Sequence, residues 1–251
     1  MGELLVLGSS NAVPAKGQEN THFLVRTATR SILIDCGNNP LQSLDTAGLP
    51  PDGLTDLILT HFHPDHVASA PLLMMGLWLQ GRKMKLNIYG LAYTIDRFEK
   101  MMDLYEWQEW PRFYPVQFYR IPEDEKQVVI SGEDVCVMSS LVKHLIPTMG
   151  LRFEFLKSGK SAAISSDTEP VDAMVRLANG VDVLFHEATG ATMGHSSAAQ
   201  AGEIAQRAGA RSLWLIHYKP GESAGSLVAQ AAKNFSGLVY LAKDLEKIEL
   251  S

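Results

Sequence analysis

An α/β fold in which two β-sheets are flanked by helices is predicted for this chain. Short runs of β-branched and aliphatic residues recur along the first half, which is typical of buried strands. Strand-like runs alternate with helical segments in the second half, and neither an internal repeat nor a Pro/Gly/Ser-rich linker interrupts that order. The length of 251 residues permits one large domain or two small ones, and because no linker interrupts the order of segments we predict a single domain over residues 1–251.

Eleven segments have the composition of strands. They are residues 4–7, 23–26, 31–35, 56–60, 86–89, 127–131, 134–139, 151–156, 162–165, 182–187 and 212–217. Two helices have readable ends. The first is predicted after Thr168, with Pro170 near its first position and Gly180 as its left-handed stop. The second is predicted from Ser197, which forms a capping-box pattern with Gln200, to a stop near Gly209.

The overall charge narrows the classes of substrate. A hydrophobic fraction of 46% with 20% charged residues is ordinary for a globular protein. The formal net charge of −6 argues against a surface dedicated to many phosphates of a long nucleic acid, although it leaves tRNA open. A small or compact substrate is favoured.

The cysteines and the apolar segments indicate the cellular compartment of the protein. Cys36 and Cys136 each lie in a short apolar run without a CxxC pattern, so both are predicted to be core thiols. The N-terminus carries an acidic residue where a signal peptide has basic ones. The longest apolar stretch, residues 67–79, contains Pro71 and is shorter than a bilayer span, which predicts a buried helix. We expect the protein in the cytoplasm.

Three histidines and a carboxylate stand within six residues, directly after the strand-like run 56–60. These are His61, His63, Asp65 and His66, in a chain that holds eight histidines in all. Imidazole nitrogens and carboxylate oxygens are ligands for zinc and neighbouring first-row metals. Pro64 stiffens the turn that would present them together. The spacing therefore predicts a metal site.

Further candidate ligands occur at the ends of later strand-like runs, where folds of this kind place functional groups. These are His144, Asp167 and His217. Each alone could be a hydrogen-bonded residue at a strand end. Together with the first cluster they provide enough ligands for two divalent metal ions, with one carboxylate able to bridge them. Zinc is the first expectation, and the ligands leave manganese, iron and cobalt open.

These motifs carry a resemblance to a known family. HFHPDH, followed by a later His, Asp and His, resembles the ligand series of the metallo-β-lactamase superfamily. Within it the chain resembles the ribonuclease Z and small phosphodiesterase branch over nearly its full length. The similar blocks are LGSSNAVP, ILIDCG, KHLIPTMGLRFE, SSDT, HEAT, GHSSAAQAGEIA and a terminal hairpin in LVYLAKDLEKIEL. The resemblance implies an αββα sandwich, in which helices cover both sheets.

The resemblance also implies how the ligands divide between two metals. His61, His63 and His144 would hold one ion. The other would be held by Asp65, His66 and His217, with Asp167 bridging the two. A hydroxide shared by the two cations would then be the nucleophile, and the cations would stabilise charge that develops on a phosphate or carbonyl oxygen.

Three residues receive catalytic roles. Asp65 is expected to orient the hydroxide or accept its proton. By resemblance to the GHS block, His195 would contact the scissile phosphate and help the leaving oxygen depart. Glu187 of HEAT would hold His195 in its cationic form. His186 is interpreted as structural.

The chain departs from the tRNA-cleaving members of this branch in three places. Those enzymes insert a long arm between the positions matched by His144 and Asp167, where this chain has only 22 residues. Their Pro-x-Lys-x-Arg-Asn pattern is replaced by residues 14–20, which contain no Arg. Their Glu-Gly-Thr is replaced by residues 38–40, Asn-Asn-Pro. We therefore predict a phosphodiesterase for a small or flexible phosphodiester first and ribonuclease Z second. A thioester hydrolase of the glyoxalase II kind and a non-catalytic metal-binding protein follow.

Aromatic residues are dense between the strand-like runs 86–89 and 127–131. They are Tyr105, Trp107, Trp110, Phe113 and Tyr114. Such clusters pack cores, and they also form pocket walls and dimer interfaces. We predict that part of this segment lines the substrate groove or a homodimer contact.

Overall fold

Two seven-stranded sheets face each other in this protein. The structure is a computed structural model that describes residues 2–250, so Met1 and Ser251 of the predicted domain lie outside it. In spatial order, the first sheet contains β14 (Lys247–Glu249), β1 (Glu3–Gly8), β2 (His22–Arg26), β3 (Ser31–Ile34), β4 (Asp56–Leu59), β5 (Leu86–Leu91) and β6 (Val116–Ile121). The second contains β13 (Leu238–Leu241), β12 (Ser212–Ile216), β11 (Val183–Glu187), β10 (Lys160–Ile164), β9 (Thr148–Phe155), β8 (Val135–Val142) and β7 (Gln127–Ser131).

Each sheet has an antiparallel half and a parallel half. In the first sheet β3 to β6 are parallel, and in the second β10 to β13 are parallel. The strand β8 is antiparallel to β9, which is antiparallel to β10, so β8 and β10 point the same way. The carboxyl ends of these strands therefore meet at one edge, where loops can bring polar side chains together.

Helices cover the outer faces of both sheets. They are α1 (Pro40–Thr46), α2 (Pro64–Val67), α3 (Ala70–Leu79), α4 (Ala92–Asp103), α5 (Asp172–Leu177), α6 (Ala198–Ala208) and α7 (Ala224–Ala232). One apolar core lies between the sheets, and one more lies under the helices on each side. Burial on both faces explains the continuous apolar runs of central strands such as β4, in which all four residues are buried. The predicted arrangement of two sheets flanked by helices is confirmed.

The two predicted helices are present, and one starts later than expected. Ser197 and Gln200 form the predicted capping box, and Gly209 ends α6 with φ of 66°. The helix predicted to begin around Pro170 starts at Asp172 instead, because Val171 is extended and acts as its cap. The sequence signals thus predicted the bounds of α6 correctly, whereas they placed the start of α5 two residues too early.

Two predictions about apolar segments are wrong. The segment 67–79 is broken at residues 68–69, where Ser69 N donates to Cys36 O, and the face of α3 that carries Leu72 and Leu79 is exposed. Cys36 is buried as predicted, whereas Cys136 is only half-buried on β8. Only one side of α3 packs on the core, through residues such as Leu73 and Leu77, so the apolar residues on its other side stay exposed.

The predicted terminal hairpin is also wrong. The strand β13 pairs with β12 in the second sheet, whereas β14 pairs with β1 in the first. The last segment therefore crosses from one sheet to the other and ties the two sheets together. Within residues 2–250, no helix has the length and apolar character needed to cross a bilayer.

Candidate metal centre

The predicted ligands converge at the edge where the carboxyl ends of the parallel strands meet. His61 follows β4, and His63, Asp65 and His66 lie on the loop and on α2 that come next. The other candidates follow strands of the second sheet. They are His144 after β8, Asp167 after β10 and His217 after β12. The centre therefore lies between the two sheets and draws ligands from both.

Three imidazoles and one carboxylate form a first group. His63 Nδ1 lies 3.2 Å from His61 Nε2 and 3.0 Å from His144 Nε2. Asp167 Oδ2 lies 3.9 Å from His61 Nε2 and 3.8 Å from His144 Nε2. Zinc–nitrogen bonds of about 2.0–2.1 Å separate tetrahedral ligands by roughly 3.3 Å. The group therefore has the dimensions of a four-ligand metal site.

A second group lies beside the first. Asp65 Oδ2 is 3.4 Å from both His66 Nε2 and His217 Nε2. The other oxygen of Asp167, Oδ1, is 3.6 Å from His66 Nε2 and 3.4 Å from His217 Nε2. Each oxygen of Asp167 thus faces a different group. This arrangement suits a bridging carboxylate and agrees with the division of ligands that the resemblance implies.

Hydrogen bonds to the second ring nitrogens orient the histidines. Gly194 O lies 2.7 Å from His144 Nδ1, and Thr189 Oγ1 lies 2.9 Å from His217 Nδ1. The Asp35 carboxylate lies 2.7 Å from His66 Nδ1. Such contacts fix the ring orientation and leave the other nitrogen for a metal.

The backbone around the centre is strained. Asp35 has φ of 63°, Ser166 has φ of 54° and His217 has φ of 52°, all in the left-handed region that non-glycine residues rarely adopt. Each lies one or two residues after the end of a strand, where the chain turns beside the candidate ligands. Strain of this kind persists where the surrounding structure holds a residue in one orientation.

Burial and neighbouring charges set the protonation of the ligands. Burial and the neighbouring His66 lower the pKa of His61 well below its ordinary value. Burial alone would raise the pKa of Asp167, yet the charges of His217 and His66 hold it well below the usual range. Neutral imidazole and ionised carboxylate are the forms that bind a metal. The protein therefore maintains both ligands in their binding forms.

His195 stands next to this centre. One of its ring nitrogens lies within 4.8 Å of potential ligand atoms of Asp167 and His217. Its ring centre lies 5.0 Å from that of His144. The buried Glu187 carboxylate lies 3.0 Å from His195 Nδ1. Burial lowers the pKa of His195, but the hydrogen bond and charge of Glu187 outweigh it and raise the pKa. The Glu187 carboxylate thus favours the protonated form of His195, whose ring lies beside the candidate ligands.

Glu187 is itself firmly placed. Its oxygens accept hydrogen bonds from the backbone N–H groups of Thr168, Thr189 and Ser196. Three backbone donors thus fix the position of the Glu187 carboxylate. Its proposed partnership with His195 is consistent with this setting.

The ligand set fits a pair of divalent cations. His66 Nε2 is buried and has no hydrogen-bond partner among the described residues, although it faces two carboxylates. A buried polar atom without a partner is costly unless a ligand satisfies it. Three groups of residues each bring potential ligand atoms within 4.8 Å of one another. The group of Asp167, His195 and His217 shares Asp167 with the first group and His217 with the second. A metal would supply the missing partner for His66.

Comparison with known proteins identifies the family. A sequence model described as the β-lactamase superfamily domain matches residues 30–218. The chain belongs to the β-lactamase superfamily. Ribonuclease Z of Methanothermobacter thermautotrophicus is 25% identical to this superfamily member. The alignment covers 100% of this chain and 97% of that relative. A ribonuclease Z of a Mycobacterium species is 29% identical over 100% of the chain and 96% of the relative.

Solved structures show the same fold. The metallo-β-lactamase fold protein YhfI from Bacillus subtilis gives a TM-score of 0.84 at 23% identity, covering 98% of each chain. The short form of human tRNase Z gives 0.79 at 24% identity and covers 99% of each chain. A diphosphatase of the PhnP family gives 0.78 at 18% identity, covering 100% of this chain and 98% of that one. The superfamily and its histidine and aspartate cluster make this chain a metal-dependent hydrolase.

Sequence reasoning missed the residues that support the ligands. Asp35, Thr189 and the carbonyl of Gly194 were given no role, although each contacts a candidate ligand. Only Asp35 left a signal, because it is a carboxylate at the end of a strand that pairs in parallel with the strand before His61. The hydrogen bonds of a backbone carbonyl and a threonine have no sequence pattern.

Proposed function

We propose that this chain is a dinuclear metal-dependent phosphodiesterase that acts on a small or flexible phosphodiester. The observation that carries the proposal is the position of His195, which contacts Glu187 and lies beside two groups of candidate ligands, with one oxygen of Asp167 facing each group. One group would comprise His61, His63 and His144, and the other Asp65, His66 and His217. When bound, two divalent cations activate water and stabilise charge on the phosphate.

The side chains have separate roles in this proposal. His195 would contact a phosphate oxygen and donate a proton to the departing oxygen, since its raised pKa keeps a proton available at neutral pH. Asp65, whose pKa is lowered although it is largely buried, would remain ionised and orient the attacking water. Glu187 would keep His195 charged and aimed at the centre. A monoanionic phosphodiester suits this arrangement of positive charge.

The segment between His144 and Asp167 supports a small substrate. It consists of β9, a turn at residues 156–159 and β10, so the described chain has no extended arm at this position. A large RNA must be held by many phosphate contacts before its scissile bond is placed. The alignment with the archaeal ribonuclease Z spans 305 positions against 251 residues here, so that relative carries segments without a counterpart in this chain.

A substrate panel tests the proposal. Protein loaded in turn with zinc, manganese, iron and cobalt is given bis(p-nitrophenyl) phosphate, precursor tRNA, a glutathione thioester and a β-lactam at physiological salt. We expect turnover of the phosphodiester and poor or no cleavage of precursor tRNA. Thioester turnover without phosphodiester turnover would overturn the proposal, and inactivity toward the whole panel at full metal loading would favour a binding protein.

Ribonuclease Z activity is the second candidate, and the curated relatives favour it. The ribonuclease Z proteins match this chain over its whole length. Efficient cleavage of precursor tRNA at its 3′ side would promote this candidate. The residues that hold the metals and His195 would be the same in both cases, so the two functions differ in how the substrate is held.

A homodimer is the partner that the exposed apolar surface supports best. On α3, Leu72 and Leu79 are exposed along one side, and Trp78 stacks on Trp110 of the aromatic segment at 5.2 Å between ring centres. Tyr105 is also exposed, although Tyr114 is buried. Large exposed apolar patches mark interfaces, and aromatic residues are enriched there.

The charges around this surface favour a second copy of the chain. Close in sequence to these apolar residues, acidic Glu106 and Glu109 and basic Lys83 and Arg112 are all exposed. A two-fold interface brings the same patch of two subunits together, so a region with both signs of charge can pair with itself. We therefore propose that the patch of Leu72, Leu79, Tyr105 and Trp110 is a dimer contact.

A further inference from the structure

An apolar cavity lies directly beside the metal ligand His144. Its volume is about 480 Å³, and it runs along the loop that follows β8 toward the start of α5. Its apolar lining includes Leu141, Leu145, Ile146, Pro147, Val171 and Ala173. The Leu145 residue is 56% exposed, which is unusual for a large aliphatic side chain next to a polar centre.

This cavity lies on the His195 side of the centre. A Cβ placed on Gly194 would lie 3.1 Å from Leu145 Cγ and 2.8 Å from His144 Nδ1, so the loop before His195 packs tightly on both residues. The next residue outward, Met193, is 78% exposed. Leu145 therefore packs against the loop that carries His195, the residue proposed to donate a proton to the leaving oxygen.

The charged residues around the cavity do not provide an anion site. Among the described residues that line it, Lys143 is the only lysine or arginine, and its Nζ lies 2.7 Å from Glu169 Oε2. Glu123, which also lines the cavity, adds negative charge. A second phosphate on the substrate would meet a neutralised cation and a carboxylate, so an uncharged group fits better.

We infer that this cavity is a subsite for an uncharged apolar substituent on the leaving oxygen of the phosphodiester. The inference rests on the proposed function, because it places the scissile phosphate at the metal centre. The substituent would pack on Leu145, Ile146 and Pro147 and remove their apolar surface from water. Among the described residues, no Phe, Tyr or Trp lines the cavity, so apolar character decides the fit, whether the group is a ring or an alkyl chain.

Binding of phosphate monoesters to the metal-loaded protein tests this subsite. Isothermal titration calorimetry would compare phenyl phosphate and butyl phosphate with methyl phosphate, and glycerol 3-phosphate would serve as a polar ligand of similar size. We expect phenyl and butyl phosphate to bind roughly tenfold tighter than the other two, since burial of a few apolar carbons gives a difference of this order.

Two variants show whether Leu145 is responsible. In Leu145→Ser the preference for phenyl over methyl phosphate should fall to about twofold or less, since the side chain supplies much of the apolar surface. The matched control is Leu156→Ser, because Leu156 is 55% exposed at the opposite end of β9. It should keep the tenfold preference.

The outcomes separate the subsite from the function. Equal affinity for phenyl, methyl and glycerol phosphates in the unaltered protein would overturn the subsite while leaving phosphate binding in place. A preference that survives in Leu145→Ser would overturn it as well. If none of the phosphates binds the metal-loaded protein, the proposed phosphodiesterase function fails with it.

Discussion

The Asp35 carboxylate lies 2.7 Å from His66 Nδ1 and accepts two more hydrogen bonds, from Thr60 N and Thr60 Oγ1, each at 2.8 Å. The contact between Asp35 and Nδ1 orients the ring of His66, so that Nε2 points at the carboxylates of Asp65 and Asp167. Thr60 Oγ1 in turn lies 3.1 Å from His61 Nδ1. One buried carboxylate thus helps to orient a ligand of each group.

We predict that Asp35→Asn weakens metal binding roughly ten- to a hundredfold at the position formed by Asp65, His66 and His217, because loss of an orienting partner has effects of this size. Competition with a chromophoric chelator would measure the affinity. The control is Asp134→Asn, since Asp134 is also buried but bonds Thr29 far from the centre. Equal metal affinities in the two variants would argue against the role of Asp35.

Removal of the shared carboxylate should change the metal stoichiometry. The unaltered protein is expected to bind two metal ions per chain, because seven candidate ligands exceed the number that one tetrahedral site uses. In Asp167→Ala the content should fall to one or fewer, since each group loses an oxygen of Asp167. Elemental analysis after removal of free metal would show this. A content near one in both proteins, even with excess metal, would remove the bridging assignment.

His195→Ala should lower the turnover of bis(p-nitrophenyl) phosphate by roughly a hundredfold or more, the usual size of a general-acid contribution. Metal content should stay intact, because His195 belongs to neither of the two proposed ligand groups. A diester with a poorer leaving alcohol should lose more activity, since its departing oxygen depends more on a proton. Thr192→Ala, an exposed position on the same loop, is the control. A variant that loses metal together with activity would show that His195 is a ligand instead.

The positions of the candidate ligands could be predicted from the sequence because two independent signals coincided. Histidines and carboxylates are conspicuous in a sequence, and each follows an apolar run that ends a strand, as at His61 after β4 and His217 after β12. The parallel strand order then brings those ends to one edge. The division of the ligands between the two oxygens of Asp167 could not be predicted from spacing, because it depends on how the two sheets face each other.

Other features depended on pairing between distant segments. The final strand β14 joins β1 in the first sheet, and no local pattern distinguishes that from a hairpin with β13. Likewise, the apolar residues of α3 predict burial, but Leu79 is exposed because the sheet covers only one side of the helix. The position of Leu145 beside Gly194 is a contact between loops 49 residues apart in sequence and has no sequence signal.

The exposed face of α3 leads to a prediction about assembly. Sedimentation at micromolar concentration should give twice the chain mass of 27.6 kDa, and Leu79→Glu should give the monomer, because a charge would be buried at the contact. Leu238→Glu is the control, since Leu238 is 63% exposed on β13 and Leu79 is 67% exposed. A monomer at all concentrations would contradict the dimer and leave the aromatic segment as an intramolecular cluster.

His186 should make the folded protein sensitive to acid. Its ring is buried with Nδ1 bonded to Glu187 O at 2.9 Å, and burial lowers its pKa from the ordinary 6.5. The unfolded chain therefore binds a proton at a higher pH than the folded one. The resulting stability is present above pH 6.5 and is lost as the pH falls toward the lowered pKa.

Urea unfolding with a metal chelator present, at pH 7.5 and pH 5.5, would measure this loss without a contribution from bound metal. In His186→Gln the difference between the two pH values should shrink by about 1 kcal/mol, because a single group changes the free energy of unfolding by at most about 1.4 kcal/mol per pH unit. His22→Gln should act in the same direction, since burial also lowers the pKa of His22. An unchanged pH dependence in His186→Gln would show that the pKa of His186 does not differ between the folded and the unfolded protein.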